Sequence, residues 1–501
     1  MGARECSRCD GDAVIPFAQY GPDRSRFDPQ FSDTLENVLP KANSYGPFPS
    51  FQAFSQPLPA HPMGTILAYV INGNYRLFVG TQHAIYLFNP ETLGWTDVSK
   101  TGGYSTVDGR RWSFAQFGDL IIATNGTDPV QWINVNTPDQ FADLGGNPPT
   151  ALFCGTLGDF VMLANLGSDQ RSVHWSGLNQ PHFWTPRQRS SDFQPFPDGG
   201  EIMAFAGGVD GCVIFHAESI RVGQLALQTP MVMTFTQTIP NHGCLAPRSV
   251  VSTGHGIFYL SDDGFYRYGV PPVGIGNERV DNFFLSDINK SEIYDVYGSE
   301  DPSRKMVYWA YRSTSNTIDR SYDKVICYHY GIDKWSMLKP GTILTGLIDA
   351  TTPGYTLDSL DALGLGLDEL PFSLDSRAWA GSTPLIAAFD LEYRLGFFAG
   401  APLPAVLQTG DVELNKTGRT FVNGFRPICD APTISGRVGI KDSAGSAIGW
   451  KLPFTANRTG LIPARASGRY HRFEVSIPSS TENTWYDIHG VEPVGIPEGQ
   501  A

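Results

Sequence analysis

Between residues 85 and 340 short apolar runs alternate with polar turns, and one combination recurs. An apolar strand leads through a polar turn to an aromatic residue nine positions after the strand's own anchor. The first copy spans Ile85 to Val98 with Tyr86 and Trp95 as the pair. The second sets Trp132 before Phe141, the third Trp175 before Trp184, and the fourth Ile326 before Trp335. An odd step reverses the side of an unbroken ladder, so the turn must reset the register, as a hairpin does. The first three anchors lie 46 and 43 residues apart (132 − 86, 175 − 132). The gap of 151 to the fourth (326 − 175) holds about three more periods. This pattern predicts an all-β chain with a β-propeller of about six blades.

Other runs place the limits of that region. Phe117-Gly118-Asp119 and Leu157-Gly158-Asp159 are turn signals, each followed by a buried apolar run. His255 to Tyr268, with Ser261-Asp262-Asp263-Gly264 at its centre, predicts a hairpin. Residues 1–63 carry Pro22, Pro29, Pro40, Pro47, Pro49, Pro57, Pro59 and Pro62, which exclude long helices and central strands. They predict an extended arm, anchored by Phe27, Phe31, Phe48, Phe51 and Phe54, packed on its own body or on a neighbour. The propeller is expected over 64–345, an acidic Leu-rich linker over 346–380, and a second, antiparallel β-sandwich-like domain over 381–501.

Charge and cysteines narrow the function classes. A formal net charge of −14 in 501 residues argues against a general nucleic-acid-binding surface, though not against a channel that lets DNA pass. The seven cysteines are mostly scattered singly in apolar strands, which predicts reduced, buried thiols. Cys6 and Cys9 form a lone CxxC, two ligands short of a zinc site. No apolar run reaches the ~18 residues of a membrane span, and no leader is evident, so a cytosolic product is expected.

No reactive constellation stands out. Asp262 and Asp263 read as a hairpin turn rather than paired glycosidase carboxylates. There is no Gly-x-Ser-x-Gly elbow, His-Glu-x-x-His or phosphate loop. No enzyme activity, cofactor or metal is expected. Arg465, Arg469, His471 and Arg472 form the basic cluster of the last segment, and Arg465, Arg469 and Arg472 are the candidate inter-subunit or adaptor contacts.

Several runs in combination resemble the tail nozzle (packaged-DNA stabilisation) proteins of short-tailed bacteriophages. They are Phe48-Pro49-Ser50-Phe51, Leu77 to Thr81, Trp95 to Ser99, Trp112 to Asp119, Thr124 to Pro129, Phe372 to Arg377 and Tyr470 to Phe473. The resemblance implies a virion protein assembled in the host cytoplasm as a six-fold ring at the distal end of a short tail. It would dock on the adaptor below the portal, bear tail fibres or a needle, retain packaged DNA and open for its ejection. Two rival readings are a propeller-type glycan-degrading tail enzyme and a kelch-like protein-binding module.

Overall fold

The computed structural model describes residues 14–25, 28–71, 73–107, 109–226, 232–351, 384–415 and 418–497. Among these the chain is almost entirely antiparallel β-structure, with one short α-helix, Asp281–Asp287. Six separate four-stranded sheets and a four-strand run within an eleven-stranded sheet make seven units. The first begins at Thr65–Tyr69, the second at Ser113–Phe117, the third at Ala151–Leu157 and the fourth at Ile202–Ala206. The fifth begins at Val251–Thr253, the sixth at Tyr297–Asp301 and the seventh at Leu344–Thr351. Opening strands of consecutive units touch from first to fourth, a 3-10 turn at Pro247–Ser249 carries the contact to the fifth, and the seventh touches the first. The circuit is closed.

The nine-residue repeat is the junction of third and fourth strands in two copies. Phe88 faces Trp95 and Tyr328 faces Trp335 across the ladder, with rings 5.2 and 4.7 Å apart. The turns reset the register through Leu93 and Asp333, both in the left-handed region (φ 52° and 55°). In the third copy Trp184 lies in a long loop instead, and Trp175 pairs with Asp192. The Gly118 and Gly158 turns and the Ser261–Gly264 hairpin fall where the sequence puts them.

A seventh unit stands where the sequence suggests a linker. Leu344–Thr351 pairs directly with Pro384–Asp390, Thr351 opposite Pro384. The Leu-rich stretch thus joins two paired strands of one sheet rather than two domains; its residues 352–383 lie outside the described residues. The sheet is completed by Arg394–Pro402 and by Pro49–Pro57 from the arm, with Phe398 opposite Phe51. Phe48 and Phe54 are buried, Phe54 against Phe397 at 5.4 Å. The arm's aromatic anchors therefore dock on its own body; Phe27 lies outside the described residues.

The remaining strands form a sandwich. One sheet runs in the order Ile462–Gly468, Thr420–Cys429, Ile488–Pro497, Tyr45–Pro47, Val38–Pro40. The other continues the sixth unit: Lys334–Leu338 pairs with Leu35–Glu36, then Ala405–Gln408, Tyr470–Ile477 and Ser435–Lys441. Phe425, Phe473, Val438, Ile462 and Val475 fill the space between, within a core that extends to Trp309 and Trp335 of the sixth unit. Alternation on Ile462–Gly468, buried at every second residue, is what a half-buried strand requires.

Candidate functional site

The three arginines singled out from sequence do not converge. They sit on and between two successive strands, Ile462–Gly468 and Tyr470–Ile477, that belong to different sheets of the sandwich, so neighbours in sequence diverge in space. Arg472 is buried, with Nε 2.8 Å from Asp411 and Nη1 3.3 Å from Asp33, and Lys441 pairs with the same Asp411. Its charge is spent inside the sandwich. Arg469, at the crossing point, lies over Tyr470 and donates from Nε to Glu413 Oε1 at 2.8 Å, which raises its pKa. Arg465 alone projects outward from an edge strand. His471 beside them is buried, and burial pushes its pKa down. The expected basic cluster is dispersed.

Arg465 instead belongs to an open side of the sandwich. Gly449–Trp450 and Phe454–Thr455 are short edge pieces paired to Ser435–Lys441, and Ile462–Gly468 is the edge of the facing sheet. The chain between them is ordered by its own hydrogen bonds. Asn457 Oδ1 accepts from Thr459 N, Thr459 Oγ1 and Leu461 N, and Asn457 N donates to Leu461 O at 2.9 Å. Lys451 N and Ala456 N are tied to Val438 O and Ile434 O. Held this way, Leu452 is 77% exposed and Phe454 48%; Lys451, Arg458 and Arg465 are exposed as well. Pro453 and the shortness of the edge pieces obstruct addition of a further strand at this edge. In Lys451-Leu452-Pro453-Phe454 the proline marks an edge or a non-strand, but nothing in the sequence announces the exposure of Leu452 and Phe454.

A second cluster gathers around the turn already noted. Ligand atoms of His242, Asp262 and Asp263 lie within 4.8 Å of one another. Asp263 accepts from the Tyr266 hydroxyl at 2.7 Å, Ser261 Oγ donates to Asp262, and His242 Nε2 lies 3.0 Å from the Tyr259 hydroxyl. The donor set suits a divalent cation in type, yet both carboxylates are exposed and engaged as turn residues. The described cysteines are free; Cys154, Cys212, Cys244 and Cys327 are buried, with thiols pushed up to about 12, and Cys6 and Cys9 lie outside the described residues. Thr124 to Pro129 proves to be a structural turn, Asn125 Oδ1 accepting from the amides of Thr127 and Asp128. Among the described residues no helix is long and apolar enough to cross a membrane.

No protein-family model matches the chain, and no significant match was found among curated proteins. Among solved structures it is similar to the extracellular domain of the one-component system BT4673 of B. thetaiotaomicron, at 12% identity and a TM-score of 0.35. It is also similar to PorZ of the type-IX secretion system of Porphyromonas gingivalis, at 10% and 0.33, and to the computationally designed Ika8 protein, at 8% and 0.34. The matches cover 59%, 60% and 77% of this chain. The chain spans only 39% and 35% of the first two proteins, and 98% of the third.

Proposed function

We propose that this chain is a structural subunit of a ring: the nozzle at the distal end of a short phage tail, in which a seven-bladed β-propeller is carried on a β-sandwich platform. The observation that carries the reading is the ordered, open side of the sandwich. Leu452 and Phe454 are held out to solvent, and Lys451, Arg458 and Arg465 of the same stretch of sequence are exposed too, on a chain of net charge −14. Exposed apolar anchors rimmed by charge mark an interaction surface, and a net-acidic second copy is a partner of complementary charge. The sequence resemblance supplies the setting: docking on an adaptor, retention of packaged DNA, and a gate for ejection.

Particle imaging of the protein mixed with adaptor-bearing tails tests it. A ring at the tail tip, lost in the Leu452→Asp/Phe454→Asp variant, is the expected outcome. A protein that stays single and never joins tails removes the nozzle reading. Glycan cleavage abolished by Asp262→Asn and Asp263→Asn would favour the enzyme in its place.

A further inference from the structure

At the axis of the seven sheets lies a cavity of about 520 Å³. Its walls come from the openings of the second, third, fifth and sixth units and the end of the first strand of the fourth. Trp112, Phe114, Phe153, Phe205 and Tyr297 form much of the wall, and exposed Tyr294 stands on its lining. Small residues keep the space open; a Cβ on Gly207 would meet Thr156 O at 1.9 Å, so that backbone is fixed by close packing.

The charges in this wall do not cancel. Arg111 is buried with each guanidinium nitrogen engaged, Nε 2.9 Å from Asp295 Oδ1, Nη1 on Pro62 O and Nη2 on the Tyr322 hydroxyl. Asp295 is thereby occupied. Arg248 has no carboxylate in contact among the described residues; its Nη2 reaches Met63 O and Trp112 O at 3.3 and 3.4 Å, and the group lies over Tyr297 at 5.1 Å. Arg110 contributes a third guanidinium, anchored by Nη1 on Gly126 O at 2.8 Å. Three arginines thus line a cavity with one aspartate. Arg248 is half-buried, and beyond those two long hydrogen bonds to carbonyls it has N–H donors to spare. Its planar fork fits an oxyanion, and the rings beside it fit a flat organic body.

We propose that the axial cavity is a binding site for a small organic oxyanion, a carboxylate or phosphate on a flat or aromatic body, with Arg248 as its principal ligand and Arg110 as support. This goes beyond the nozzle reading and does not depend on it.

Calorimetric titration of the full chain with benzoate and with phenyl phosphate tests the site and distinguishes the two oxyanions. Inorganic phosphate and acetate probe the anion without the body, and chloride at equal ionic strength is the control. Saturable one-to-one binding of benzoate or phenyl phosphate is expected, weakened about tenfold or more in Arg248→Met. Asp295→Asn, which removes the opposing charge, should tighten it. Arg248→Lys keeps the charge without the fork, and should also bind more weakly; it stands in if the Met variant does not fold. Absence of saturable binding by either aromatic probe overturns the proposal. So does unchanged affinity in the Arg248 variants.

Discussion

At the scale of single residues, the charges beside the axis decide how this fold responds to pH. His61 is partly buried, its Nε2 donating to Arg320 O at 3.1 Å, and burial with Arg111 nearby pushes its pKa down to about 4. In the unfolded chain it returns to about 6.5. Between those values the unfolded state binds more protons at this site, so the contribution of His61 falls as pH drops from about 6.5 to about 4, by about 3 kcal/mol. Melting-temperature series of the protein and of His61→Phe over that range should diverge, with the smaller acid-side loss in the variant. Asp295 acts lower. Burial alone would raise its carboxyl, but Arg111's charge and hydrogen bond outweigh that and hold it below its ordinary value. Its contribution is present above about pH 4 and is lost as pH falls further through the folded value. Arg111→Ala would leave Asp295 enclosed without its partner and should cost about 3 kcal/mol or more, read from the denaturant midpoint.

At the scale of elements, contacts between successive sheets depend on bulk at one position and its absence at another. Trp112 donates from Nε1 to Thr81 O at 2.8 Å, and a Cβ on Gly80 would lie 2.3 Å from its ring. Gly80→Ala is therefore expected to destabilise by about 1–3 kcal/mol, seen as a lower melting temperature. Phe54→Ala, at the seam where the arm closes the seventh sheet, should cost about 3 kcal/mol by the same measure. What could be seen in the sequence follows from this scale. Gly118, Gly158 and the Ser261–Gly264 turn announce themselves because hairpins need particular residues locally. The seventh sheet does not, because Pro49–Pro57 and Arg394–Pro402 are far apart in sequence and neither looks like a strand awaiting the other. The axial arginines were hidden for the same reason: Arg111, Arg248 and Asp295 are distant in sequence and belong to no motif. Arg465, Arg469 and Arg472 erred the other way, since closeness in sequence does not survive a chain that crosses between sheets.

At the scale of the whole molecule, the sheet of the sixth unit runs through Lys334–Leu338 and Leu35–Glu36 into the sandwich, so the two parts share hydrogen bonds as well as a core. They should unfold together. A single transition seen alike by tryptophan fluorescence and far-ultraviolet dichroism is the expected result, and two separated transitions would show the parts to be independent.

The way the arm is used has a consequence for how the protein is made. Leu395 N donates to Ser55 Oγ across 340 residues of chain, and Ile15 pairs with Val491. At ribosomal speeds of about 5–20 residues per second, the first strands wait on the order of tens of seconds for their partners to be synthesised. Until then their apolar faces are open to chaperones and to neighbouring nascent chains. A ribosome that stalls before Arg394–Pro402 is made leaves the circuit open, and one that stalls later, before Ile488–Pro497, still leaves the sandwich incomplete.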